Sequence, residues 1–173
     1  MDNFEENNVS PSTQETFQAY VDGVIPRTPG LAEEYGRVQY FGALDLYTDE
    51  YIIYTLNYFD IPLAKPVAEL LDLAGGTFAA LSAADRFRVL SYLEQISGYL
   101  VELPEEIADN PGFVLTINST LNRYTMIGYY SEWPGYGNTR LNSPDVRNLE
   151  FYPLSWQQIE YPGPSMGYRA LRE

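Results

Sequence analysis

No cysteine and no histidine occur in these 173 residues. Their absence removes disulfides, thiol nucleophiles, Cys-ligated iron–sulfur clusters, His- or Cys-ligated haem and the usual zinc sites. Without histidine the commonest general base is missing, so neither Ser-His nor Cys-His machinery can be built. A carboxylate pair or a hard-cation site on Asp and Glu is the ordinary chemistry left. Positive charge is also scarce. Ten Lys and Arg face 24 Asp and Glu, a formal charge of -14 with pI ≈ 4.2. That balance argues against nucleic acid and anionic membranes as partners, because both need a basic face. No apolar run approaches the length of a membrane span. The N-terminus, MDNFEENNVSPSTQ, lacks a basic n-region, an apolar h-region and a twin-Arg pair, so the chain as given shows no secretion signal. The cytoplasm is the compartment expected of the sequence as it stands. The cell envelope replaces it if a signal was removed or a partner carries the chain out.

A chain of this length is expected to form one domain and to bury roughly two-thirds of its unfolded surface, enough for a core without staples. Residues 1–11 read as a flexible acidic tail. Ser12-Thr13-Gln14-Glu15 has the form of a capping box, with Ser12 accepting from the Glu15 N–H. Phe17, Tyr20, Val21 and Val24 follow at helical spacing until Pro26 stops the helix, and Ile25 to Gly30 makes a rigid connector. Thr48 reads as an N-cap with Asp49 and Glu50 in the first turn, and Ile52, Leu56 and Phe59 as a stripe with Tyr51, Tyr54 and Tyr58 beside it. The residues YIIYTL also suit a strand. Helix is preferred because the apolar positions fit i, i+4, i+7, and Pro62 ends it.

Pro66 suits the first turn of a short third helix through Leu73, closed by Gly75-Gly76. Ser82 and Asp85 cap a fourth, striped by Val89, Leu93, Ile96 and Leu100 and widened by Phe87 and Leu90. A fifth runs from Pro111 or Gly112 to about Tyr130, with Phe113, Ile117, Leu121, Tyr124 and Gly128 inward. With no repeat, heptad run or linker, the expected fold is all-α. It is a single bundle of about five helices over residues 12–173, with 131–173 as an irregular aromatic wrap.

The stretch Ile127 to Gly163 carries both tryptophans among many Tyr, Gly, Asn and Pro, with no helical or strand period. So long a patternless segment is usually a functional wrapping loop or disorder, and disordered segments are poor in aromatics. It is therefore expected to lie ordered over the helices, its large apolar faces packed.

Candidate sites are few. Glu33-Glu34 and Glu105-Glu106 are adjacent acids on polar stretches, which read as solvated faces. Asp45, Asp49 and Glu50 lack the alternating Asp/Asn and the glycine of a calcium loop. Asn118-Ser119-Thr120 has the form of a glycosylation sequon but falls mid-helix, away from the surface loops where acceptors belong. Gly135-Tyr136-Gly137-Asn138 has glycines that can approach a phosphate, yet no strand before it, no helix after it and no lysine. The aromatic cluster admits two functional readings: a sugar platform, or a partner surface of the kind aromatics dominate.

Short motifs follow one another along the chain: the connector Val24-Ile25-Pro26-Arg27-Thr28-Pro29, the pair Gly42-Ala43 and a helix start from Ala80 to Arg86. Later come Gly128-Tyr129-Tyr130-Ser131, Gly135-Tyr136-Gly137-Asn138 and Tyr161-Pro162-Gly163. In this order, from Phe17 to Gly163, the chain resembles the gluconate 2-dehydrogenase subunit 3 family, small subunits of flavin-dependent sugar and polyol dehydrogenases. The resemblance implies a non-catalytic subunit that binds a GMC-type flavoprotein and aids its maturation. FAD then sits in that large subunit and no cofactor in this chain. In many such complexes the small subunit also supplies a twin-Arg export signal, which this sequence does not contain. Resemblance and composition together place the expected partner surface on Tyr129, Tyr130, Trp133, Tyr136, Gly137 and Asn138. Trp156, Tyr161, Pro162 and Gly163 complete it.

Overall fold

The computed structural model describes residues 9–31, 40–95 and 103–163. Residues 1–8 of the expected tail, Glu33-Glu34, and Ile96 and Leu100 of the fourth stripe lie outside them. The described residues form one all-α domain of six α-helices joined by 3-10 turns, with no strand among them. They are α1 (Pro11–Val24), α2 (Thr48–Leu56), α3 (Ala64–Gly75), α4 (Ala83–Gln95), α5 (Pro111–Tyr130) and α6 (Leu154–Gln158).

Helix α1 is the hub of the bundle, packing against α2, α3, α4 and α5. It starts earlier than the capping box at Ser12 implied. Ser10 is the cap, its Oγ accepting from the Thr13 N–H at 3.2 Å, and Pro11 takes the first helical position. There its missing N–H costs nothing and its fixed φ favours the helix. Phe17, Tyr20 and Val21 are buried as their spacing required. The Tyr20 hydroxyl donates to the Asn118 carbonyl at 3.1 Å, which ties α1 to the middle of α5 and places the sequon-like residues within a helix.

Helix α2 also departs from its expected cap. Thr48 is already helical, and the residue before it, Tyr47, is left-handed at φ 55. The helix ends at Leu56, well short of Pro62. Phe59 therefore lies beyond the helix and is exposed, while Ile52, Ile53 and Leu56 face the core. Asn57 closes α2 and opens α3, its side-chain oxygen accepting from the Ala64 N–H at 3.0 Å. The cap of α4 is as expected: Ser82 Oγ accepts from the Asp85 N–H and donates to its carboxylate. Val89, Leu90 and Leu93 are buried on that helix, but Phe87 is turned to solvent.

Helix α5 keeps the anticipated bounds, with the Asn110 side chain accepting from the Phe113 N–H at 3.2 Å. It lies close against α2. A Cβ on Gly128 would sit 2.6 Å from the Tyr51 ring, so glycine sets the interhelical distance here. Gly128→Ala should therefore destabilise the protein by about 1–3 kcal/mol, as overpacking of a tight interface does. Urea unfolding would measure it, and a stability equal to the parent's would show that Tyr51 is free to move aside.

Candidate functional site

The C-terminal segment is more regular than its sequence suggested. After α5 the chain makes 3-10 turns over Trp133–Thr139 and Pro144–Val146, then the short α6. Four kinds of contact hold it, three that lay it on the bundle and one, the third below, that folds it back on itself.

The first is Trp133, whose ring is almost wholly buried. Its indole N–H donates to the Tyr47 carbonyl at 2.9 Å. The ring meets Tyr51 edge-on at 5.3 Å and lies 5.7 Å from Tyr54. Buried indole nitrogens need such a partner, and the left-handed turn at Tyr47 presents the carbonyl. The second is an ion pair between the segment and α2. Arg140 donates to both Glu50 oxygens, Nε at 2.7 Å and Nη2 at 2.9 Å, while Nη1 reaches the Gly137 carbonyl. The guanidinium also lies 3.9 Å above the Tyr47 ring. Glu50 stands in the first turn of the helix as expected and is also an anchor for the segment.

The third contact explains the glycines at 135 and 137. Gly137 has φ 49, and Glu150 Oε2 lies so close that any Cβ would collide with it. The Asn138 N–H donates to the same oxygen at 3.2 Å. The anion seat of this turn is therefore filled by the chain's own carboxylate, which disposes of the phosphate reading. At Gly135 the carbonyl accepts from the Glu150 and Phe151 N–H groups, drawing the returning strand of chain close. The fourth is Trp156, also buried, whose N–H donates to the Tyr130 carbonyl at 2.6 Å. Tyr152 and Tyr161 pack edge-on against it. Nearby, the Tyr129 hydroxyl donates to the Phe41 carbonyl at 2.6 Å, and Gln158 accepts from the Phe41 N–H.

Between these anchors lies a cleft of about 390 Å³ lined by Tyr51, Ser131, Glu132, Trp133, Tyr136, Arg147, Trp156 and Tyr161. Glu132 accepts from the Tyr136 hydroxyl at 2.7 Å, which holds that phenol's pKa above its usual value. Arg147 lies over the Tyr54, Trp133 and Tyr136 rings, at 4.8, 5.4 and 5.9 Å from their centroids.

The residues singled out in the sequence divide into two sets. Tyr129, Trp133, Trp156 and Gly163 are buried and hold the segment down; Tyr130, Asn138, Tyr161 and Pro162 are exposed, with Tyr136 and Gly137 between. Tyr51, Glu132 and Arg147 of the cleft were not singled out in any site. Arg140 and Arg147 are the two cations between residues 131 and 163, a signal that was available in the sequence.

The acidic candidates do not converge. Glu105 and Glu106 are exposed, Asp45 accepts from the Gly42 N–H, and Asp49 is buried. Among the described residues no three acids stand together as a metal would require. Nor is any helix among them long and apolar enough to cross a membrane. Burial raises the Asp49 pKa, with the neighbouring Glu50 charge adding to it and a hydrogen bond with Gln18 opposing it. No family model matches the chain, and no curated protein or solved structure matches it either.

Two outcomes are expected. Arg140→Met keeps the aliphatic stem but leaves Glu50 without its cation, and should cost about 1–3 kcal/mol. Trp133 emission would shift to the red as the segment loosens; unchanged emission and stability would make the ion pair incidental. Asp49, with a folded pKa above the ordinary 3.8, favours folding most when protonated, and that contribution is lost as pH rises through its raised value. Asp49→Asn, which imitates the protonated form, should therefore melt above the parent at neutral pH. The gap should close below pH 3.8, and thermal melts across that range would reveal it.

Proposed function

We propose that this chain is a non-catalytic accessory subunit that docks on a larger flavin-dependent dehydrogenase of the GMC type acting on sugars, sugar acids or polyols. FAD and the redox chemistry then belong to the partner. The observation that carries the reading is the outer side of the C-terminal segment. While Trp133 and Trp156 face inward, Tyr130, Leu141, Val146, Leu149, Phe151, Tyr152, Ile159 and Tyr161 are left exposed along it. Exposed apolar groups along one ordered segment suit a protein–protein contact, and aromatics suit its centre.

The resemblance to gluconate 2-dehydrogenase subunit 3 proteins supplies the identity of the partner, and the packing gives its motifs physical reasons. The Ala43 N–H donates to the Ile25 carbonyl at 2.8 Å, and a Cβ on Gly42 would lie 2.7 Å from the Arg27 nitrogen. The connector motif and the Gly-Ala motif therefore pack together. Gly128 to Ser131 and Gly135 to Asn138 flank the Trp133 anchor, and Gly163 approaches Trp156 and Tyr152.

Co-expression with a GMC-type flavoprotein encoded beside this chain should give a complex that co-purifies. Val146→Glu with Ile159→Glu alters two half-exposed side chains and should weaken that complex by about ten-fold or more while leaving the melting temperature unchanged. A flavoprotein that neither co-purifies nor changes in yield would refute the assignment.

A further inference from the structure

We propose that the cleft between α2 and the C-terminal segment binds a neutral, hydroxyl-rich ring, a single pyranose or cyclic polyol. This site does not rest on the partner reading. Its volume of about 390 Å³ falls at the small end of ligand pockets, which suits one ring better than a nucleotide or an extended chain. Five of its lining residues are aromatic; Trp133 and Trp156 are buried behind their neighbours, and Tyr51, Tyr136 and Tyr161 are the rings that keep exposed surface. Aromatic faces are electron-rich and meet the C–H faces of a saturated ring well.

The polar groups decide the class. Glu132 and Arg147 line the same cleft without pairing with each other. One Glu132 oxygen accepts from Tyr136, and Arg147 Nε donates to the Asn142 carbonyl at 2.9 Å. Arg147 Nη2 is buried with no hydrogen-bond partner. Ser131 is held in place by the Trp133 N–H, which donates to its Oγ at 3.2 Å. A ligand of single charge would meet one attractive and one repulsive side chain here, Arg147 and Glu132, and gain little net from the pair. A wholly apolar ligand would strip water from both and return nothing. A hydroxyl donates and accepts at once, so neighbouring ring hydroxyls satisfy a carboxylate and a guanidinium together.

Both tryptophans of the chain line the cleft, so intrinsic fluorescence reads its occupancy directly. D-glucose and myo-inositol should change the emission saturably. Glucuronate and glucosamine, which add a charge of either sign to a similar ring, should bind about ten-fold more weakly, as should the neutral rings to Glu132→Gln and Tyr161→Ala. Glu132→Gln should melt with the parent, because its amide oxygen can still accept from Tyr136, whereas Tyr161→Ala gives up the edge-on contact with Trp156 and should melt slightly lower. A flat titration with the neutral rings would overturn the proposal. So would charged rings bound as tightly as neutral ones, or parent-like affinity in both variants.

Discussion

The buried indole of Trp133 is what makes the C-terminal segment part of the domain. Its N–H has one partner, the Tyr47 carbonyl, and its ring fills the space that Tyr51 and Tyr54 leave on the outside of α2. Without that insertion the Tyr51 and Tyr54 rings would lose the indole they pack on, and the Tyr47 carbonyl would keep only the longer bond from the Tyr51 N–H at 3.3 Å. Tyr47 itself stands in a conformation that costs a non-glycine residue about 1–2 kcal/mol. The compensation is visible around it: the indole bonds its carbonyl and the Arg140 guanidinium covers its ring. Local strain and long-range anchoring are therefore two sides of one arrangement.

Helix α2 serves two surfaces at once. Ile52, Ile53 and Leu56 enter the core, while Tyr47, Glu50, Tyr51 and Tyr54 receive the segment. Within the second set Glu50 and Tyr51 both share a helical face with Tyr54, at i, i+4 and i, i+3, and Tyr47 extends that face from the left-handed turn just before the helix. In the sequence only the aliphatic stripe was recognised as a face. The other mixes a carboxylate with tyrosines, so it resembles the half-polar flank that any amphipathic helix turns to solvent. Its role follows from what arrives opposite it, Arg140 and Trp133, some 90 residues later in the chain.

The same division runs through the rest of the molecule. Helix existence was legible from period and punctuation, as the bounds of α5 and the Ser82–Asp85 cap of α4 show. Cap positions were not legible where several candidates adjoin. Ser10 and Ser12 offer the same chemistry two residues apart, and Pro11 decides between them by taking the first helical position. Phe59 and Phe87 continue an apolar stripe in the sequence, yet one lies past the end of its helix and the other faces outward. The glycines at 135 and 137 were visible as close-approach positions. That the approaching groups are Glu150 and the returning backbone could not be read locally, because those contacts close a loop.

The cleft and the outer surface share one stretch of chain. Both belong to the segment that Trp133, Arg140 and Trp156 hold down: Tyr161 lines the cleft and is also among the exposed residues of the outer side. A ring bound in the cleft would restrain Tyr161 and Arg147, and a protein bound outside would restrain the same stretch from the other direction. Ordering done by one would not need to be repeated by the other, so the two events would favour each other, and linkage requires the effect to be equal in both directions. The anchors set its size. A segment already fixed at Trp133 and Trp156 has little freedom left to lose, which confines the coupling to the Tyr161 end.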